Sequence, residues 1–378
     1  MTGDATRFAT GAAGPLLAVL RDPARLDGLD LAGWDAVLRQ ARHENLIGRV
    51  ADLARRRGLD DSLPAPVRAR LDAHRVVTDK QAAEVRWEAR QIAAALAATG
   101  VRPVMLKGAA YLLAGLPAAA GRLFSDVDFL VPKDRLAEVE GALLAGGWVS
   151  DKTDPYDQRY YRVWMHELPP LRHLRRQTHI DVHHRILPET ARLRPDPAKM
   201  RAAARPLDDP PGIAVPAPAD MVLHSAAHLF HDEDFVQGLR DLVDLDLLLR
   251  HFGADAGFWP ALTARAVELD LAYPLFLAFR HAARVLGTPV PDDAAAAVAK
   301  ARPDPVRLAL MDALLARAFT PDPPGRRRPA RRIALFPLYL RSHWLRMPAR
   351  LLIPHLARKA ARALAAKEED GEVVPIRL

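Results

Sequence analysis

A chain of 378 residues with 50% hydrophobic and 26% charged side chains is long enough for two or three folding units and too apolar for a disordered polymer. The absence of cysteine excludes a disulfide framework and a thiolate zinc centre, and makes a reducing cytoplasm the expected compartment. The net charge of +8 is unevenly placed: twelve arginines and lysines and no acidic residue fall between Asp322 and Glu368, so the remainder is slightly acidic.

The apolar stretch Gly11 to Leu20 lacks a basic lead-in and meets Arg21 and Asp22 at once, so it reads as a first helix rather than a targeting segment. No run of about 18 apolar residues predicts a membrane span. Several helices are expected over 15–99, with Trp34, Val37, Leu38 and Ala41 on one face. Pro64 and Pro66 precede a long helix over 67–98, which Gly100 closes. Trp34, Trp87 and Trp259 read as core or helix-packing aromatics.

Strands and helices then alternate. VRPVMLKG is a short strand ending in glycine, AAYLLAGL a helix, VDFLVP a strand closed by Pro132, 134–146 a helix and WVS a strand. The passage RYYRVWMHELPPLRHLRRQTHIDVHHRI reads as a hairpin with Pro169 and Pro170 near its turn. From Pro216 onward four helical segments follow, the first capped by Asp220. The linker TPDPPGRRRP leads into the basic tail. The expected fold is α+β, divided into a helical region 1–99, a mixed core 100–205, a second helical region 206–320 and a basic amphipathic tail 321–378.

The chemistry concentrates in LKGAAYLLAGLPAAAGRLFSDVDFLV. In an extended segment Asp126 and Asp128 share a face while Val127 and Phe129 turn into the core. Two adjacent carboxylates repel unless a cation or a shared proton intervenes, and magnesium is the apt cation. Gly108, between a strand and a helix, leaves backbone N–H groups for a phosphate, and Lys107 adds a point charge. HIDVHHRI places Asp181 on one face with His179 and His183, against Ile180 and Val182.

Strand, glycine turn, helix, Asp-x-Asp strand and a lone aspartate on a later strand resemble the polymerase-β-like nucleotidyltransferase superfamily. LKGAA, the Arg122-x-x-x-Asp126-x-Asp128 spacing, HIDVHHRI and ADMVLHSAAHL are similar to a poorly characterised bacterial family within it, over about 100–250. The resemblance implies transfer of a nucleoside monophosphate from a triphosphate, ATP being the expected one, to a hydroxyl-type acceptor on a small molecule or protein. Asp126 and Asp128 would bridge two Mg2+ (or Mn2+) ions, and Asp181 would hold the catalytic metal and draw the acceptor proton. Gly108 and Ser125 would face the triphosphate, and Arg122 would neutralise its developing charge. The superfamily usually places Gly-Ser or Gly-Gly where this chain has Lys107 and Gly108.

Other readings are weaker. His224, His228 and His231 share a helical face that could offer imidazoles to zinc, and His228, His231, Asp232 and Asp244 could form a helical phosphohydrolase centre, without a convincing upstream histidine. A non-catalytic nucleotide-binding protein is the remaining alternative. His183 and His184 line the cleft or merely end a strand, and Asp241 and Asp244 read as helix-surface or interhelical residues. The tail packs on the protein's own acidic core, lies on an anionic membrane surface (326–367, peripheral at the inner membrane), or contacts RNA, in that order. Nucleic acid is disfavoured because Pro337, Pro348 and Pro354 should break the tail into short helices.

Overall fold

The computed structural model describes residues 14–150, 152, 154–232, 235–323, 329–354, 356 and 358. Helix α1 (Pro15–Arg21) starts on proline, and its Leu16 N–H donates to Gln40 Oε1 at 3.0 Å from α2 (Leu31–His43). At the start of α2 the Asp30 carboxylate accepts from Gly33 N at 2.7 Å, and the Trp34, Val37, Leu38 and Ala41 face is buried, as its periodicity predicts. Helix α3 (Ile47–Arg56) leads into the long α4 (Ala65–Leu96). Gly100, at φ +69°, closes the turn after it.

The mixed region forms one seven-stranded sheet in the order β3-β4-β5-β2-β1-β7-β6. In chain order it comprises β1 (Val104–Met105), α5 (Lys107–Leu113), β2 (Val127–Leu130), α6 (Leu136–Ala145), β3 (Trp148–Ser150), α7 (Pro155–Arg159), β4 (Leu171–His173), β5 (His179–His183), α8 (Pro197–Ala202), β6 (Arg205–Pro206) and β7 (Ala214–Val215). Strand β2 runs antiparallel to β1 and parallel to β5, and its register sets Asp128 opposite Asp181. The apolar alternates Val127, Phe129, Ile180 and Val182 are buried, which is why the aspartates share the other face.

After it come α9 (Pro218–Ala227), a wider turn at His228–Asp232, α10 (Gly238–Phe252), α11 (Phe258–Glu268), α12 (Ala272–Leu286), α13 (Asp292–Ala297), α14 (Pro305–Ala318) and α15 (Pro329–Arg346). Among the described residues no helix is long and apolar enough to cross a membrane. The architecture is α+β, as the alternation of patterns implies.

Three local expectations are corrected. The β4–β5 hairpin turns at residues 174–178, where Gln177 takes φ +61° and His173 N donates to Thr178 O at 2.9 Å; Tyr160–Trp164 is helical, not extended. Pro169 and Pro170 lie upstream of that turn: lacking an N–H, they interrupt the segment that runs beside β5, between Leu168, whose N–H bonds to Val182 O, and Leu171. Asp220 does not cap α9. Ala217 does, Pro218 supplies the first helical residue, and the wholly buried Asp220 carboxylate accepts from Arg265 of α11 at 2.7 and 2.9 Å. Pro337 does not break α15, whose Ala334, Leu338 and Ser342 face is buried in contact with α14 and the His228–Asp232 turn; this docking outweighs the missing hydrogen bond.

Candidate functional site

The sheet ends in a tight junction. Leu106 N–H donates to Asp128 O at 2.9 Å, and Lys107 then takes φ +45°, a left-handed conformation in which glycine has no steric cost. Lys107 Nζ lies 3.0 Å from Asp128 Oδ1, an ion pair that compensates the strain. At Gly108 a Cβ would stand 2.3 Å from Arg122 Nη1 and 3.2 Å from the Phe124 ring, so any larger residue would displace the guanidinium.

Arg122 is held from behind. Its Nε donates to Asp244 Oδ2 at 2.8 Å, and Asp244 Oδ1 lies 3.4 Å from Arg49 Nη2. Arg49, fully inside the protein, also donates to Pro117 O and Ala118 O at 2.8 Å each, fixing the loop that delivers Arg122. Asp241 and Asp244 are both buried: Asp241 pairs with Arg240 of the same helix, and the Asp244 contact to Arg122 orients an expected nucleotide-binding side chain.

Asp126, Asp128 and Asp181 converge: each offers a carboxylate oxygen, all within 4.8 Å of one another. Asp128 is buried, while Asp126 and Asp181 are half-buried; Ser125 is exposed and its Oγ donates to Asp126 Oδ1 at 2.8 Å. Burial, followed by the charges of Glu167 and Asp128, pushes the Asp181 carboxyl up to about 7. Burial also opposes ionisation of Asp128, but Lys107 and the His183 hydrogen bond together hold it well below the usual carboxylate range. For the lysine the balance likewise favours charge: burial works against it, and Asp128 and Asp126 raise it above its ordinary value. The fit to a hard divalent cation rests on this donor set, three oxygen ligands of one sign whose mutual repulsion a cation would relieve.

Sequence reasoning left His183 between a cleft-lining and a strand-end role and did not find Glu167. His183 Nε2 lies 2.9 Å from Asp128 Oδ1 and 3.5 Å from Glu167 Oε2, and His166, Glu167 and His183 form a second group of closely spaced donors. Glu167 reaches the site through a single antiparallel bridge to His183, a pairing that leaves no periodic signal. His184 alternates away, with Nδ1 3.7 Å from Glu189 Oε1. Among the described residues, His224, His228 and His231 do not gather as ligands, nor do His228, His231 and Asp244; the Asp232 side chain lies outside the described residues.

Two cavities meet at Ser125 and Asp126. The smaller, about 190 Å3, runs from Lys107, Gly108 and Arg122 to Ser225, Arg240 and Asp244 on the C-terminal helices. The larger, about 780 Å3, lies between α4 and the β4–β5 turn. Its wall is braced by buried Glu88, which accepts from Trp148 Nε1 at 2.8 Å and Arg176 Nε at 2.9 Å. Trp87 lines it and is 55% exposed, so it is not the packing aromatic expected from sequence; Trp34 and Trp259 are.

A mixed sheet with three clustered carboxylates beside a strand–turn–helix junction defines a nucleotidyltransferase-type protein, a class that generally uses divalent metals. The chain belongs to the family described as uncharacterised nucleotidyltransferases, whose model matches residues 30–287. No curated protein and no solved structure matches it.

Proposed function

We propose that the protein transfers a nucleoside monophosphate from a nucleoside triphosphate, ATP first among them, to a hydroxyl on a small molecule or protein in a reaction requiring Mg2+ or Mn2+. The convergence of Asp126, Asp128 and Asp181 carries this reading. The acceptor oxygen forms a bond to the α-phosphorus, the bond to the bridging oxygen of the β-phosphate breaks, and pyrophosphate leaves. Bound divalent cations supply charge neutralisation at the attacking and leaving oxygens. Asp126 and Asp128 would hold both cations and Asp181 one of them, and the Asp181 carboxylate takes the hydroxyl proton.

In this reading the smaller cavity receives the phosphates at Gly108, Ser125 and Lys107, with Arg122 held in place by Asp244. Four aspartates and three basic side chains line that cavity, so the protein alone offers a triphosphate no excess of positive charge; the divalent cations would provide it. The larger cavity takes the acceptor, with Trp87 as a flat apolar wall. The core 100–205 would carry the chemistry, 1–99 one wall of the acceptor cleft and 206–320 the far side of the phosphate pocket, with 321–378 standing apart from the chemistry. The location would be the cytoplasm.

Incubation with α-labelled triphosphates, Mg2+ or Mn2+ and cell extract tests the proposal, wild type against Asp126→Asn, with calorimetry of metal-dependent triphosphate binding alongside. Aspartate-dependent label transfer is expected. No binding of any triphosphate with either metal would overturn it. The Lys107–Asp128 ion pair favours a second reading, in which the core holds nucleotide without turnover; binding unaccompanied by transfer or pyrophosphate release would select it.

A further inference from the structure

Among the described residues, helix α15 is anchored on one side and exposed on the other. Arg331 pairs with Glu44 at 2.5 and 2.9 Å, Arg341 donates to Phe230 O at 2.7 Å, and the Arg346 carbonyl accepts from Thr190 Oγ1 at 2.6 Å. Ala334, Leu338 and Ser342 are buried beneath it. The opposite stripe, at successive helical turns, is Ile333, Phe336, Leu340 and Trp344, with exposures of 70, 59, 44 and 49%. Exposed apolar side chains on neighbouring turns of one anchored helix mark an interaction surface.

The rim of the stripe is basic. Arg332 on α15 is exposed, as is Arg350 in the segment after its C-terminal end, and the exposed Arg192 holds its guanidinium 5.1 Å from the Trp344 ring centre. No acidic residue occurs from 323 to 367. A second copy of the chain laid on the stripe would bring like charges together, and a nucleic acid would meet the arginines but leave the apolar side chains in water. A surface that is both apolar and anionic satisfies both.

We propose that α15 docks the protein on an anionic lipid bilayer, lying in the plane of the interface with Ile333, Phe336, Leu340 and Trp344 among the acyl chains and Arg332, Arg350 and Arg192 at the phosphates. Self-packing and membrane contact, alternatives in the sequence reading, then become two faces of one helix. The docking goes beyond the transferase reading and is independent of it.

Vesicle flotation of the full-length protein tests this with phosphatidylcholine alone and with phosphatidylglycerol added. The expected result is flotation with the anionic vesicles only, weakened by salt. Phe336→Ser with Leu340→Ser, or Arg332→Gln with Arg350→Gln, should each reduce the affinity by about tenfold or more. These side chains are exposed, so unchanged melting temperatures are expected, and either pair suffices if the other misfolds. Failure to float, equal flotation with neutral vesicles, or a dimer in solution that Phe336→Ser dissolves would overturn the proposal. Because no nucleotide is present, these outcomes are separate from the success or failure of the transfer assay.

Discussion

His183 Nε2 stands 2.9 Å from Asp128 Oδ1 and 3.5 Å from Glu167 Oε2, so one buried imidazole links the central carboxylate of the site to a fourth acidic side chain. Burial opposes its protonation, but the Asp128 hydrogen bond and the Glu167 charge raise its pKa above the ordinary histidine value. Asp128 therefore sits between two partners, His183 and Lys107, whereas among the described residues Asp126 accepts its hydrogen bond from the Ser125 hydroxyl.

That asymmetry separates two substitutions that act alike on catalysis. Asp126→Asn and Asp128→Asn should each lower label transfer by roughly 100-fold or more, since both carboxylates are proposed to hold the metal ions. Only Asp128→Asn should also destabilise the fold, by about 3–5 kcal/mol, because it leaves buried charges without their partner. Urea unfolding of the two variants in EDTA checks this. Equal stabilities would show that the Lys107 and His183 contacts do not hold Asp128 in solution.

Gly108→Ala tests the close approach at the start of α5. The new Cβ would stand 2.3 Å from Arg122 Nη1. Arg122 is not free to swing aside, because Asp244 pins it with a 2.8 Å hydrogen bond within the protein. Overpacking of this kind costs about 1–3 kcal/mol, and the displaced guanidinium would weaken metal-dependent triphosphate binding at the same time. Chemical denaturation and calorimetry on the same sample give both readouts; wild-type values in both would refute the contact.

The three clustered aspartates were legible because their signal is local. Alternation along VDFLV and HIDVH dictates which residues turn inward, and the parallel β2–β5 register then places Asp128 beside Asp181. The helical character of the chain after Pro216, α10 included, was legible from its periodicity. What the sequence hid is long-range. Glu167 meets His183 across one bridge, Asp244 meets Arg122 across 122 positions, and the exposed Trp87 faces a cavity whose opposite wall is the β4–β5 turn. No spacing rule links residues so far apart, and the Pro169–Pro170 pair drew the expected turn away from Gln177, whose left-handed φ carries no strong residue signature.

Asp244 gives a stability prediction of its own. It is 3% exposed and faces both Arg122 and Arg49, at 2.8 and 3.4 Å. Asp244→Ala would strand two guanidinium groups inside the protein, and removal of one partner from a buried pair costs about 3–5 kcal/mol. Arg122→Met combined with Asp244→Leu should recover part of the loss, since a matched apolar pair needs no charge partner. A double-mutant cycle by urea unfolding measures the coupling. Additive effects of the two changes would mean that the arginine and aspartate do not depend on each other for stability.

Part of the acid limb of stability should trace to His281, far from the carboxylate cluster in sequence and packed between Phe230 and Phe319 at ring-centre distances of 5.9 Å each; His184, pushed by burial down to about 4, titrates in the same direction and Asp181, pushed up to about 7, in the opposite one. Burial pushes its pKa down to about 3, with Arg280 and Arg284 adding to the effect and Asp312, 3.6 Å away, opposing it. Because the folded value lies below the unfolded one, near 6.5, the unfolded chain binds the extra proton between these limits. The neutral imidazole's contribution is therefore complete above about pH 6.5 and declines as pH falls toward 3, by at most about 1.4 kcal/mol per pH unit. Asp312 titrates in the same direction, since Arg280 and Arg284 hold its carboxyl below the usual range against burial, but only at lower pH. His281→Leu should therefore flatten the loss between pH 6 and about 4.5 while leaving the steeper carboxylate-driven loss below it. Urea midpoints measured at intervals across that range decide the matter: a variant whose stability falls as steeply as wild type above about pH 4.5 would assign the limb to other groups.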